Sequence, residues 1–215
     1  MRLGSQKYSV AWFKLAECIS RGEREKALGV YRLLSHSIED QACALQLEGA
    51  ILEAFNDRAA QYKYEQAAGI YRVQGRLLLA TALYRQLQEY KPQHEPYSEI
   101  LFELHKAQSQ YPQAASFGIH ILNNAVQNKD GIRIVLWLEN IASIEQLTFT
   151  AAARAVLTII EVRGANAATI EHWLSYCVDH AQDSQKQELQ QWMASLQEIS
   201  PKYYQKACDL IERER

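Results

Sequence analysis

Apolar residues recur at helical spacing along almost the whole chain, and few residues interrupt them. Trp12, Leu15, Ala16 and Ile19, for example, fall at i, i+3, i+4 and i+7, the spacing of one apolar helical stripe. Only 4 prolines and 9 glycines occur in 215 residues, whereas a β-sandwich or barrel needs a turn every ~8–12 residues. The sequence therefore predicts an all-α protein of about a dozen helices with short connections.

Proline, glycine and polar clusters divide this pattern into helices. Gly75 ends a helix predicted over 58–73, and Pro92 follows the next, predicted over 77–90. Pro96 and Pro112 suit the first turns of two further helices, where a missing N–H has no cost. Beyond the loop at 128–131, the segments 132–144 and 151–162 are apolar on most sides, so we expect neighbours to enclose both.

The overall composition excludes several classes of protein. The formal net charge is -2 and the isoelectric point is about 6.3, with both signs spread along the chain, so we expect no nucleic-acid partner. No run approaches the ~20 apolar residues that cross a bilayer, so we expect no membrane insertion. The amino-terminal residues lack the apolar stretch of a signal peptide, so we expect none. The four cysteines are widely scattered, which predicts reduced thiols and a cytoplasmic location.

One segment combines small and aromatic residues in a distinctive order. It reads Tyr64-x2-Ala67-Ala68-x2-Tyr71, then Ala80-x3-Tyr84, then Pro92. This resembles the tetratricopeptide repeat (TPR), whose pattern is W-x2-L-G-x2-Y, then A-x3-F, then P. In such a pair, small residues allow close helix approach and aromatic side chains fill the neighbouring gaps.

Two looser copies extend the resemblance over residues 1–127. One comprises Trp12, Leu15, Ala16 and Ile19 followed by Ala27 and Tyr31; the other begins at Tyr97, close to one repeat length after Tyr64, and drifts. The resemblance implies antiparallel helix hairpins stacked in a right-handed superhelix, a TPR-like α-solenoid. Residues 128–215 are then degenerate repeats or a helical cap. A non-repeating helical bundle is the alternative.

Motifs that carry chemistry are missing from the sequence. No phosphate-binding loop, nucleophile elbow or H-E-x-x-H motif occurs, so we predict neither an enzyme nor a cofactor site. Cys177 and His180 lie three residues apart, which suits a soft metal site. The favoured interpretation places Cys177 in an apolar stripe and His180 at a helix end, with no metal bound.

A basic stretch coincides with the best repeat copy. Between residues 58 and 88 lie five basic side chains against the single acidic Glu65. The resemblance implies a concave groove formed by Tyr62, Glu65, Gly69, Arg72 and Val73 in this copy and by Ser98, Phe102, His105 and Lys106 in the next. Arg side chains bind carboxylates and Tyr62 and Phe102 offer apolar area, so the predicted partner is an acidic protein or peptide. The predicted partner-binding residues are Tyr62, Glu65, Arg72, Arg76, Phe102, His105 and Lys106.

The sequence thus favours a protein-interaction scaffold or adaptor of the TPR type. Glu65 and Gly69 stand where the family's carboxylate clamp has Lys and Asn, which argues against an adaptor for carboxy-terminal peptides. Two alternatives remain open: a secretion-type chaperone that holds a client protein, and a helical enzyme or small-ligand sensor that uses the apolar region 130–215. The sequence does not predict an oligomeric state.

Overall fold

The computed structural model describes residues 3–181 and 186–213, and the side chains from residue 10 onward. These residues form twelve α-helices and no strand, which confirms the predicted all-α class. The helices are α1 (Leu3–Ser20), α2 (Arg24–Ser35), α3 (Gln41–Ala54), α4 (Ala59–Val73), α5 (Leu77–Tyr90), α6 (Glu95–Ala107), α7 (Tyr111–Gln127), α8 (Gly131–Ala142), α9 (Phe149–Val162), α10 (Ala167–Asp179), α11 (Lys186–Ile199) and α12 (Pro201–Arg213).

The chain forms two compact units, Met1–Leu104 and His105–Arg215. In the first unit α1 packs on α2, α3 packs on α4 and α4 packs on α5. In the second unit α7 packs on α8, α9 contacts α8, α10 and α11, and α12 contacts α10 and α11. This division falls within α6. The boundary predicted after residue 127 marks where the repeat pattern fades in the sequence, and it stays a prediction.

Within residues 3–181 and 186–213, seven helices end in the same backbone motif. A residue with φ between 54° and 72° follows the helix, and the next N–H donates to the carbonyl five residues before it, at 2.8–3.4 Å. This is the Schellman arrangement, which satisfies carbonyls that a helix end leaves unpaired. Two of the positive-φ residues are glycines; the full set is Gly22, Asn56, Gly75, Ser109, Lys129, Glu145 and Arg163.

These helix ends recur at a regular spacing. Six of the positive-φ residues form three pairs, and the two members of each pair are 34 residues apart along the chain: Gly22 with Asn56, Gly75 with Ser109, and Lys129 with Arg163. Each accepting carbonyl belongs to a residue whose side chain is at most 5% exposed. The turn therefore fixes which residue of the last helical turn faces the interior. The accepting residues are Cys18, Leu52, Tyr71, His105, Ala125, Ile141 and Ile159.

Helices α3 and α4 approach closely because a glycine faces an aromatic ring. A Cβ atom on Gly49 would lie 2.8 Å from the Cδ1 and Cε1 atoms of Tyr64. The Tyr64 hydroxyl donates to the Glu53 carboxylate at 2.7 Å, and the Gln86 amide on α5 donates to the same carboxylate at 3.1 Å. One carboxylate on α3 thus holds a side chain from each of the next two helices.

Two details of the predicted helical stripes are wrong. Among the described side chains of α1, from residue 10 onward, the buried ones are Leu15 and Cys18, whereas Trp12 is 42% exposed, so the packed face is rotated away from Trp12. On α8, Ile132 is 80% exposed and Leu136 is 51% exposed, so neighbours do not enclose this helix. The prediction for 151–162 is confirmed, because α9 buries half of its residues.

The glycine at the α3–α4 contact gives a stability test. We expect Gly49→Ala to destabilise the protein by about 1–2 kcal/mol, because the buried and hydrogen-bonded Tyr64 ring cannot move away. The matched control is Gly29→Ala on α2, where an added Cβ has nothing within 4 Å. That change should stabilise by about 0.5–1 kcal/mol through helix propensity. Urea denaturation measures both, and equal effects of the two substitutions would contradict the close approach.

Buried tyrosines give a pH test. Burial raises the pKa of Tyr31 to about 12, and its hydroxyl donates to the Ala44 carbonyl at 2.8 Å. An unfolded tyrosine loses its proton near pH 10, so between about pH 10 and 12 the folded chain binds more protons. The free energy of unfolding should therefore fall as pH rises through this window. Urea denaturation from pH 8 upward should show a shallower fall for Tyr31→Phe, and identical slopes would rule the effect out.

Candidate functional site

The residues of the best repeat copy occupy the interior. Tyr64, Ala67, Ala68 and Tyr71 on α4 are each at most 2% exposed, and Ala80 and Tyr84 on α5 are 0% and 6% exposed. These buried positions make up the interior side of α4 and part of that of α5. One face of α4 is thus buried in the protein interior. Only the opposite face is accessible to a binding partner, so that face is the candidate site.

That opposite face, which we call the α4 face, consists of Arg58, Tyr62, Glu65, Gly69, Arg72 and Val73. These positions follow one another at i, i+4, i+7, i+11, i+14 and i+15, so they form one stripe along the helix. Tyr62 is 60% exposed and Val73 is 86% exposed. A Cβ added to Gly69 would have nothing within 4 Å, so the middle of the stripe is open.

Glu65 is the one acidic member of the α4 face, and it is occupied within the first unit. It accepts a hydrogen bond from the Tyr97 hydroxyl on α6, and the Lys91 ammonium lies 3.9 Å away. Burial and this carboxylate both raise the pKa of Tyr97, so the phenol stays the donor. Glu65 therefore links α4 to α6, and its carboxylate interacts with both Tyr97 and Lys91.

Arg76 has a structural role and lies outside the α4 face. Its guanidinium forms an ion pair with Asp40 and lies 4.5 Å from the centre of the Tyr71 ring. Asp40 caps α3 by accepting from the N–H groups of Ala42 and Cys43 at 3.0 and 3.3 Å. Arg76 thus connects the start of α5 to the start of α3. The hydrogen bond from Arg76 holds the pKa of Asp40 below its usual range.

Phe102 and His105 do not face a groove. Phe102 is 0% exposed and His105 is 2% exposed, and the His105 ring stacks on Phe117 with centres 5.6 Å apart. The sequence pattern aligned Tyr97 with Tyr64. The separation of these two residues is one residue shorter than that of the helix ends at Gly75 and Ser109, so the α6 positions were assigned to the wrong face of the helix. A slip of one residue rotates a helical position by about 100°.

When the copies are aligned on their helix ends instead, buried residues align with buried residues. Phe102 corresponds to Ala68 and His105 to Tyr71, which explains their burial. The α6 residues that correspond to the α4 face are all exposed or half-buried: Pro96, Glu99, Glu103, Lys106 and Ala107. Lys106 belongs to the second unit, where its ammonium donates to the Ser143 hydroxyl at 3.2 Å.

The basic stretch separates into structural and exposed members. Lys63 forms an ion pair with Glu48 on α3 at 3.0 Å, and Arg76 is paired with Asp40. Arg58 and Arg72 are exposed, and within the described residues neither forms an ion pair. Sequence reasoning noted Arg58 but did not place it on this face; its four-residue spacing from Tyr62 was the available signal.

The Cys177 and His180 pair fits the packing interpretation. Cys177 is 0% exposed, and burial raises the pKa of its thiol. The His180 ring stacks on Tyr176 with centres 3.8 Å apart. Across the described part of the chain, no three His, Cys, Asp or Glu side chains are grouped so that they could hold a metal ion.

An open groove between α11 and α12 is one candidate for a small-ligand site in the second unit. It is lined by apolar side chains, including Leu189, Met193 and Ile211, and by the polar side chains of Lys186, Gln190, Gln197 and Tyr204. A small-molecule site usually encloses most of its ligand, whereas this groove is open to solvent. The α4 face, which combines exposed aromatic, apolar and charged groups, remains the better candidate.

Comparisons with known proteins give no assignment. No protein-family model matches the sequence, and no curated protein matches it. Over residues 3–181 and 186–213, none of the helices has both the length and the apolar character needed to cross a membrane.

The two roles found for the arginines can be separated by stability measurements. We expect Arg76→Gln to lower the urea midpoint, because it removes the ion pair and the ring contact. Asp40→Ala should lower it further, because it also removes the cap of α3. Arg72→Gln is the matched control and should leave the midpoint unchanged. Equal midpoints for Arg72→Gln and Arg76→Gln would contradict this division.

Proposed function

We propose that this chain is a protein-interaction scaffold of the TPR type, with helix hairpins stacked in a right-handed superhelix, that binds a protein segment on the α4 face. The observation that carries the proposal is the exposed stripe of Tyr62, Arg72 and Val73 around the open position at Gly69. Exposed aromatic and arginine side chains are the types most enriched at binding hot spots.

The recurrence of helix ends supports the repeat architecture. Paired positive-φ residues are separated by the length of one tetratricopeptide repeat, ~34 residues. The six small and aromatic positions of the best copy are all buried, as close packing of two helices requires. The degenerate copies retain the helix ends even where the small and aromatic residues are replaced.

Side-chain bonds between alternate helices also support stacking. In the first unit, Gln86 on α5 bonds to Glu53 on α3, and Tyr97 on α6 bonds to Glu65 on α4. In the second unit, the Trp192 indole on α11 donates to the Ala153 carbonyl on α9 at 3.1 Å. Contacts between each helix and the next but one are what successive hairpins make in an α-solenoid.

A rigid surface suits this function better than an adaptable one. The α4 helix is held by Tyr64, Tyr71 and Glu65, whose partners lie on α3 and α6. The exposed side chains of the α4 face therefore project from a fixed backbone, and a partner need not order it. Apolar contacts at Tyr62 and Val73 would supply most of the affinity, while Arg58 and Arg72 would orient an acidic segment.

Binding can be tested by affinity capture followed by mass spectrometry. We expect proteins captured by the wild type to bind the Tyr62→Ala/Arg72→Glu variant about tenfold more weakly, because one hot-spot side chain and one favourable charge are lost. Arg154→Glu, an exposed charge reversal on α9, is the control and should retain the same proteins. If the captured set is the same for all three proteins, the α4 face is not the binding site.

A further inference from the structure

The positive charges on the α4 face lie at its two ends. Arg58 precedes the helix and Arg72 lies in its last turn, so about four helical turns, or about 21 Å, separate them. We propose that the segment bound here is an amphipathic α-helix carrying two acidic residues four turns apart. This inference rests on the proposed function and names the partner of the same site.

The spacing of the acidic residues in the partner follows from which basic side chains of this protein already have a carboxylate partner. Lys63 and Arg76 have carboxylate partners on α3 and before it, and Glu65 is held by Tyr97 and Lys91. Arg58 and Arg72 form no ion pair with any described residue and extend into solvent. A partner that supplies one carboxylate to each guanidinium completes the pairing of this surface.

The partner is helical because the α4 face cannot satisfy an extended backbone. An extended segment that lies against the stripe takes some of its N–H and C=O groups out of water, and those groups then need partners. The stripe offers no side-chain amide: its members are Arg58, Tyr62, Glu65, Gly69, Arg72 and Val73. Gln66, at the edge of the stripe, is one amide against several backbone groups. A helix satisfies its own backbone and presents only side chains.

Gly69 fixes where the partner makes its closest contact. The open position lies about three helical turns beyond Arg58 and about one turn before Arg72, and a Cβ there would touch nothing within 4 Å. A leucine-sized side chain fits this opening when the helices lie side by side. A parallel partner then has the pattern E-x10-L-x2-E, whose three named positions fall on one helical face.

A charge on α6 restricts which residues the partner can carry on the side that faces α6. Glu103 on α6 is exposed and occupies the position that Gly69 occupies on α4 when the copies are aligned on their helix ends. A second row of acidic residues toward α6 would be repelled by this carboxylate. The acidic residues therefore lie on the α4 side of the partner, and its α6 side is neutral or basic.

Three labelled peptides test the inference by fluorescence anisotropy at low ionic strength. The first is an alanine–glutamine helix with the pattern E-x10-L-x2-E. The second has the same composition but places the two glutamates seven residues apart. The third is a polyproline peptide with glutamates seven residues apart, which spans the same distance of about 21 Å because its rise is about 3.1 Å per residue.

Variants of the protein locate the binding on the α4 face. Arg58→Glu and Arg72→Glu should each weaken binding of the first peptide at least threefold, and Glu103→Lys should strengthen it. Gly69→Leu fills the opening and should weaken binding at least tenfold without unfolding the protein, because the space around an added Cβ is empty. Gly29→Leu is the matched control, since its surroundings on α2 are equally open, and should leave binding unchanged.

Each outcome has a separate meaning. Tightest binding of the first peptide, with the expected response to Arg58→Glu, Arg72→Glu and Gly69→Leu, supports the helical partner. Tightest binding of the polyproline peptide with the same arginine dependence overturns the helix but keeps the α4 face as the site. Binding of no peptide, tightest binding of the second peptide, or binding that Arg58→Glu and Arg72→Glu do not change overturns the proposed acidic helix; the capture experiment then decides the proposed function independently.

Discussion

The hydrogen bond that closes each helix end is the constraint on which the rest of the structure depends. In the Schellman arrangement the N–H after the positive-φ residue is bonded to the carbonyl of a residue whose side chain is buried. The turn therefore sets both the direction of the chain after the helix and which side chain of the last helical turn faces the interior. Because one residue corresponds to about 100° of helix rotation, a slip at Gly75 would move Tyr71 out of the interior and Arg72 toward it.

The same constraint explains which parts of the fold the sequence could predict. Small and aromatic spacing identified the packing face of α4, and the bounds of α5 were predicted as Leu77–Tyr90. The register of α6 was missed because Ser109 takes positive φ without being glycine. Lys129, Glu145 and Arg163 also have positive φ without being glycine. Backbone hydrogen bonds determine these turns, and the residue type at the positive-φ position does not reveal them.

The candidate site was only partly predictable, for an electrostatic reason. A basic stretch is visible in the sequence, but whether each cation is free depends on carboxylates that are distant along the chain. Arg76 meets Asp40, 36 residues earlier, and Arg24 meets Asp57, 33 residues later. Each separation spans about two helices and their turns, so only the folded chain shows which carboxylate each arginine meets.

Apart from Glu65, the exposed side chains of the α4 face are separate from those that hold the helix in the fold. The helix is held by tyrosine hydroxyls, a glycine contact and Glu65, all of which involve α3 or α6. Tyr62, Arg72 and Val73 take no part in those contacts and stay exposed. Side chains that remain in water contribute little to the free energy of folding, so the fold does not constrain their chemistry. Substitutions at Tyr62, Arg72 and Val73 can therefore change the chemistry of this exposed surface while the contacts that hold α4 stay intact.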